Sequence, residues 1–87
     1  MKTILFDEDA LGWTRDKDRN LTFLKHQADY LNIMHEYRGY TYLNQIYEHL
    51  GVTWNPDNEN VCYTKENGPI GVEILPMGET SFIIGIH

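Results

Sequence analysis

One long amphipathic stretch constrains this chain more than any other feature. From about Asp16 to Tyr37, the residues Leu21, Leu24, Ala28, Leu31 and His35 recur at i+3/i+4 spacing. Phe23, Gln27, Tyr30, Met34 and Tyr37 form an adjacent stripe, so the pattern predicts a helix with a wide apolar face. Thr14 or Asp16 stands where an N-cap is needed. Arg38-Gly39 stands where a helix ends, a cation beside the last carbonyls and then a residue that tolerates positive φ. At ~1.5 Å per residue such a helix is roughly 30 Å long, about the width of a small domain. With 87 residues in all, the chain makes one domain, and every other element must pack on this helix.

The rest of the chain supplies that packing. Thr41 is a good N-cap for a second helix from about Tyr42 to Leu50, with Leu43, Ile46, Tyr47 and Leu50 on one face and Gly51 as its terminator. After a polar loop, Asn55 to Asn60, the apolar period switches to two. Val61–Thr64, Ile70–Leu75 and Thr80–Ile86 read as strands. They are separated by a turn at Glu66-Asn67-Gly68-Pro69, with its Asn-Gly hairpin signal, and another at Pro76-Met77-Gly78-Glu79. Residues 3–6 are a further strand candidate. A helical turn capped by Asp7 and ended by Gly12 would come next, with Trp13 at the edge of the core. The expected fold is α+β: one long helix plus a short helix packed on a three-stranded antiparallel β-meander, with room for an extra N-terminal strand.

Charge limits the partners. Seven Lys and Arg stand against thirteen Asp and Glu, a net charge of −6, which argues against a phosphate-backbone binder and so against direct nucleic-acid contact. Residues 51–87 hold one base, Lys65, against Asp57, Glu59, Glu66, Glu73 and Glu79. That acidic third suits a basic partner surface, and it equally serves solubility. The single cysteine, Cys62, excludes an intramolecular disulfide. The apolar run Ile4-Leu5-Phe6 is too short for a signal peptide, and no run approaches a membrane span. A soluble cytoplasmic protein with no membrane contact is expected.

Candidate chemistry is weak throughout. Asp16, Asp18 and Asn20 match the opening of a calcium loop, but Leu21 stands where the loop needs Gly and Gln27 where it needs Glu. His26, His35, His49 and His87 lack metal-ligand spacing. Cys62 has no nucleophile elbow around it and reads as a small buried hydrophobe in its strand. The pairs Asp7/Asp9 and Asp57/Glu59 lie in polar, solvated stretches. No catalytic residue, metal or cofactor is therefore expected. The aromatic residues carry more information. Tyr37, Tyr40, Tyr42 and Tyr47 crowd the junction between the helices. Tyrosine combines contact area with a polar tip, so it suits an interface as well as the rim of a core. Tyr37, Tyr40, Tyr42, Trp54 and Tyr63, with the acids Asp57, Glu59 and Glu73, are the partner-binding candidates.

The junction itself, Arg38-Gly39 through Leu43-Asn44, Tyr47 and Leu50-Gly51, resembles the R-G-x-x-x-L-N-x-x-Y-x-x-L-G segment of small uncharacterised proteins from Gram-positive gut bacteria and their phages. The resemblance implies no catalytic residues. It implies a setting, a phage or mobile-element accessory protein. Three functions are compatible with the sequence. The first is a non-enzymatic protein-binding module, in one form an inhibitor of a bacterial defence complex that meets a basic surface. The second is a small ligand-binding or hydrolytic domain with a pocket between sheet and long helix, using His26, His35 and Tyr47. The third is a homodimeric structural protein.

Overall fold

The computed structural model describes residues 2–53 and 55–87. In chain order the elements are β1 (Lys2–Phe6), α1 (Lys17–Arg38), β2 (Tyr40–Tyr42), α2 (Leu43–His49), β3 (Cys62–Thr64), β4 (Val72–Met77) and β5 (Ser81–Ile86). Short 3-10 turns occupy Pro56–Asn58 and Lys65–Asn67. The class is α+β, and α1 has the ends that its sequence requires. The Asp16 carboxylate accepts from the backbone N–H of Asp18 at 3.0 Å and of Arg19 at 3.2 Å. Gly39 takes φ 86° and donates its N–H to the His35 carbonyl at 2.8 Å.

β1, β5 and β4 form an antiparallel sheet in that order, with β5 in the centre. Ile4 and Phe6 from β1 and Phe82, Ile84 and Ile86 from β5 point inward. They meet Leu24 and Leu31 of α1 and Leu43, Ile46 and Leu50 of the α2 segment in one core. Each such side chain, fully buried, contributes about 1.5–3 kcal/mol. Phe23 stacks on Phe6 with ring centroids 5.7 Å apart. It also lies over Gly12, where an added Cβ would come within 2.5 Å of the ring.

The three-stranded meander is not what forms. β3 leaves it and pairs with β2, Tyr40 opposite Thr64, Thr41 opposite Tyr63 and Tyr42 opposite Cys62. The place it leaves is taken by β1, from the other end of the chain. Three deviations arise from this exchange. Thr41 does not cap α2; it is buried in β2, and the helix starts two residues later, with the Tyr42 N–H bound by the Gln45 side chain at 2.8 Å. Cys62 is exposed rather than buried, because it shares the outward face of the ribbon with Tyr42. The Asn67-Gly68 pair does not make a two-residue hairpin; it closes a 3-10 turn, Gly68 donating to the Lys65 carbonyl at 2.9 Å. A fourth deviation is independent. The expected turn at Pro76 is strand, and β4 runs on to Met77. Gly71 and His87 exchange both backbone hydrogen bonds, at 2.9 and 3.3 Å. By the alternation of an antiparallel ladder, Val72, Ile74 and Pro76 then turn their main-chain groups to the open side. Pro76 has no N–H to offer there, so the ladder loses nothing.

Three polar side chains on α1 hold the loops to the helix. Asn20 is fully buried. Its amide nitrogen donates to the carbonyls of Thr14 at 2.9 Å and Thr80 at 2.8 Å. Its oxygen accepts from the Thr14 N–H at 2.8 Å and the Thr14 hydroxyl at 3.1 Å. Asn32 clamps Ile70 as a strand would, accepting from its N–H at 2.8 Å and donating to its carbonyl at 3.0 Å. His35, 1% exposed, engages both ring nitrogens. Nε2 lies 3.2 Å from the Gly68 carbonyl and Nδ1 lies 3.0 Å from the Thr41 hydroxyl. A carbonyl only accepts, so in the neutral ring Nε2 carries the proton and Nδ1 accepts from Thr41.

Two stability outcomes are expected. Asn20→Ala strips partners from buried backbone groups on two segments and should cost about 3 kcal/mol. Gly12→Ala drives a methyl into the Phe23 ring and should cost about 1–3 kcal/mol. Urea unfolding midpoints would check both, with Tyr37→Ala as the surface control expected within about 0.5 kcal/mol of the parent.

Candidate functional site

The C-terminal end of α1 and the β2–β3 ribbon build an aromatic surface. Gly39 reverses the chain after Arg38, and a Cβ there would meet nothing within 4 Å, so φ alone requires the glycine. The turn is tied down from outside by the Lys65 N–H, which donates to the Gly39 carbonyl at 2.9 Å. The ribbon then alternates. Thr41 points in to His35, and Tyr40 and Tyr42 point out, their rings packed edge to face at 5.7 Å. The Arg38 guanidinium carbon sits 6.0 Å from the centroid of the Tyr40 ring, a cation–π distance. Arg38 Nε and one of its terminal nitrogens are buried without a hydrogen-bond partner among the described residues.

α1 extends this surface along its outer side. Tyr30, Ile33 and Tyr37, three and four residues apart, all face solvent, with Ile33 65% and Tyr37 86% exposed. Tyr30 also meets the His49 ring of α2 edge-on at 5.1 Å. The second stripe read from the sequence therefore divides. Phe23 packs on the core, whereas Tyr30 and Tyr37 turn away from it. Lys65 and Glu36 close an ion pair at 2.9 Å over the same turn; both are exposed, so it orders the turn more than it stabilises it.

The candidate residues fall into separate places. Tyr37, Tyr40 and Tyr42 belong to the aromatic end. Tyr63 faces the other way, opposite Thr41, and packs against the core. Burial first, and the neighbouring Tyr47 second, push its phenol above the ordinary value of 10.0. Asp57 and Glu59 are exposed beside the buried Asn58 in the loop before β3. Glu59 lines a shallow cleft with Asn44, Gln45 and Glu48 of α2. Glu73 lies on the outer face of the three-stranded sheet, 3.3 Å from His87 Nε2. Trp54 lies outside the described residues.

The pocket envisaged for a hydrolase is not assembled. His35 is enclosed with both nitrogens engaged, His26 is exposed and Tyr47 is half-buried. None of the three principal clefts among the described residues is lined by any of them. Among the described residues, no three His, Cys, Asp or Glu side chains gather as a metal would need, and no helix is long and apolar enough to cross a membrane. Two of the clefts flank Val52 and Thr53 and share Asp9 as an acidic wall. The sequence gives no sign of that place, since it shows Asp7 and Asp9 only as a solvated pair. No family model, no curated protein and no solved structure matches the chain.

The Tyr63 phenol gives a pH test of this packing. Its proton is held more tightly in the folded state than in the unfolded chain. The associated stability is fully present below pH 10.0 and is lost as the pH rises through the folded-state value. Urea midpoints measured near neutrality and above about pH 10 should therefore fall more for the parent than for Tyr63→Phe.

Proposed function

We propose that this chain is a small acidic non-enzymatic protein-binding module. Its binding surface is the aromatic end made by Tyr37, Tyr40 and Tyr42 with the Tyr30–Ile33 stripe of α1. The observation that carries this reading is Tyr37, a large ring left 86% exposed on a helix whose opposite face is fully packed. Contiguous exposed aromatic and aliphatic surface on a small domain marks an interaction site. The tyrosine hydroxyls and the Arg38 guanidinium supply polar groups at its rim, as protein interfaces require.

The net charge of −6 directs the module towards a basic partner and away from nucleic acid itself. Together with the likeness of the Arg38–Gly51 segment to small phage-associated proteins, this favours an accessory factor of a phage or mobile element. Its concrete form is an inhibitor of a host defence complex, acting in the cytoplasm by occupying a basic surface. His35, Asn20 and Asn32, the buried polar groups that a catalytic reading would use, are all engaged in holding backbone.

Affinity capture from a bacterial host lysate tests the reading, with Tyr37→Ala/Tyr40→Ala/Tyr42→Ala as the comparison. The parent should retain a partner at micromolar concentration. The triple variant, with an unchanged unfolding midpoint, should bind it at least about 30-fold more weakly, the loss of roughly 2 kcal/mol expected for a hot spot. Equal retention by both proteins, or no partner for either, would overturn it.

A further inference from the structure

The two edges of the three-stranded sheet are not alike. β4 is closed to further pairing by Pro76, whose missing N–H lies on the open side. β1 carries no such block. Lys2, Ile4 and Phe6 turn their main-chain groups to β5, since their partners Ile86, Ile84 and Phe82 alternate with the residues bonded to β4. Thr3 and Leu5 therefore present N–H and C=O outward. Among the described residues no hydrogen bond reaches either of them. An open strand of this kind is a template for another strand, which folded proteins ordinarily cover or blunt.

A groove runs along this edge. Leu5 and Asp7 form one wall, Val52 and Thr53 the other, with Asp9 and Ala10 at its end, and the space between is about 290 Å³. Beyond Thr53 it continues into a second cleft of about 190 Å³, which adds Glu48 and Leu11; Leu11 is 93% exposed. The lining is apolar and acidic, and no cation contributes to either cleft. The groove is one strand wide, since the Val52–Thr53 segment stands opposite the edge.

We infer that the β1 edge is a docking site for an extended polypeptide segment of alternating apolar and basic residues. The segment adds as a fourth strand, exchanging hydrogen bonds with Thr3 and Leu5, as in strand addition generally. Its apolar side chains enter the cleft beside Val52, and its basic ones meet Asp7 and Asp9. The inference takes the occupant to be a polypeptide, as the protein-binding reading does, but it uses a different surface, so the two fail separately.

A synthetic hexapeptide of alternating Lys and Val, blocked at both ends, is the probe. Titrated into the full chain and followed by amide NMR, it should shift Thr3, Leu5, Asp9 and Thr53 while leaving Tyr37, Tyr40 and Tyr42 in place. It should slow hydrogen exchange at Thr3 and Leu5 by at least about tenfold. N-methylating alternate residues of the peptide should abolish binding in one of the two registers, a test that leaves the protein's own stability untouched. Asp7→Asn/Asp9→Asn should weaken binding about tenfold, and the Asn at position 7 keeps the oxygen that accepts from the Asp9 N–H. Four outcomes would overturn the proposal: no shifts at millimolar peptide, shifts confined to the tyrosine surface, equal binding of an alternating Glu and Val peptide, or concentration-dependent shifts of β1 without peptide, which would make a second copy the occupant.

Discussion

The fold depends on side chains of α1 that bind main chain rather than side chain. Asn20, Asn32 and His35 lie on the buried side of the helix, and each grips a segment remote from it in sequence: Thr80, Ile70, and the Thr41–Gly68 pair. A domain of 87 residues buries only a little over half of its unfolded surface, so apolar contact alone gives it a small margin. Hydrogen bonds from a rigid helix add specificity at the points where a small core gives least. They fix where each loop crosses the helix, and the strand pairing is set by those crossings.

The route of the chain after β3 shows this. A tight Asn-Gly hairpin would lay β3 beside β4 and extend one sheet. Instead His35 holds the Gly68 carbonyl and Asn32 holds both main-chain groups of Ile70, so the chain must run down α1 before β4 can begin. β3 is left against β2, which is itself fixed by Thr41 on the same histidine. One buried imidazole thus joins both ends of the small ribbon to the helix and turns Tyr40, Tyr42 and Cys62 outward. The centre of the main sheet passes to β5, and its free side is filled by β1.

Much of this architecture is legible in the sequence. The long helix is readable almost to the residue, because its period, its Asp16 cap and its Arg38-Gly39 end agree with one another. The second helix and the three C-terminal strands are readable as elements. Their partners are not, since pairing is decided by polar residues that periodicity treats as breaks in a stripe or as neutral members of it. Periodicity puts His35 on the apolar face and spacing puts Asn20 in a failed calcium loop, whereas their real role, bonding to distant main chain, leaves no local pattern. Pro76 misleads in the opposite direction. Proline reads as a turn, and only the ladder's alternation shows that its missing N–H lies on an open edge. The aromatic site is half legible: Tyr37, Tyr40 and Tyr42 do gather at the junction, but Tyr63 and Glu73 belong to other faces, and the groove beside β1 exists only once residues 5–10 and 52–53 have been brought together.

The same economy explains why surface, not interior, is available for function. The buried polar groups of α1 are all engaged by main chain, and a pocket opened near them would remove the clamps that set the topology. What the clamps do not use is the outer side of α1 with its tyrosines and the outer edge of β1. These two surfaces differ in kind. The aromatic end offers side-chain contact area on a fixed helix and ribbon, which suits a folded partner. The β1 edge offers unpaired main chain beside an acidic wall, which suits an extended one. A small domain that blunts one sheet edge with Pro76 and leaves the other open, with an apolar groove beside it, has an asymmetry that its stability does not require.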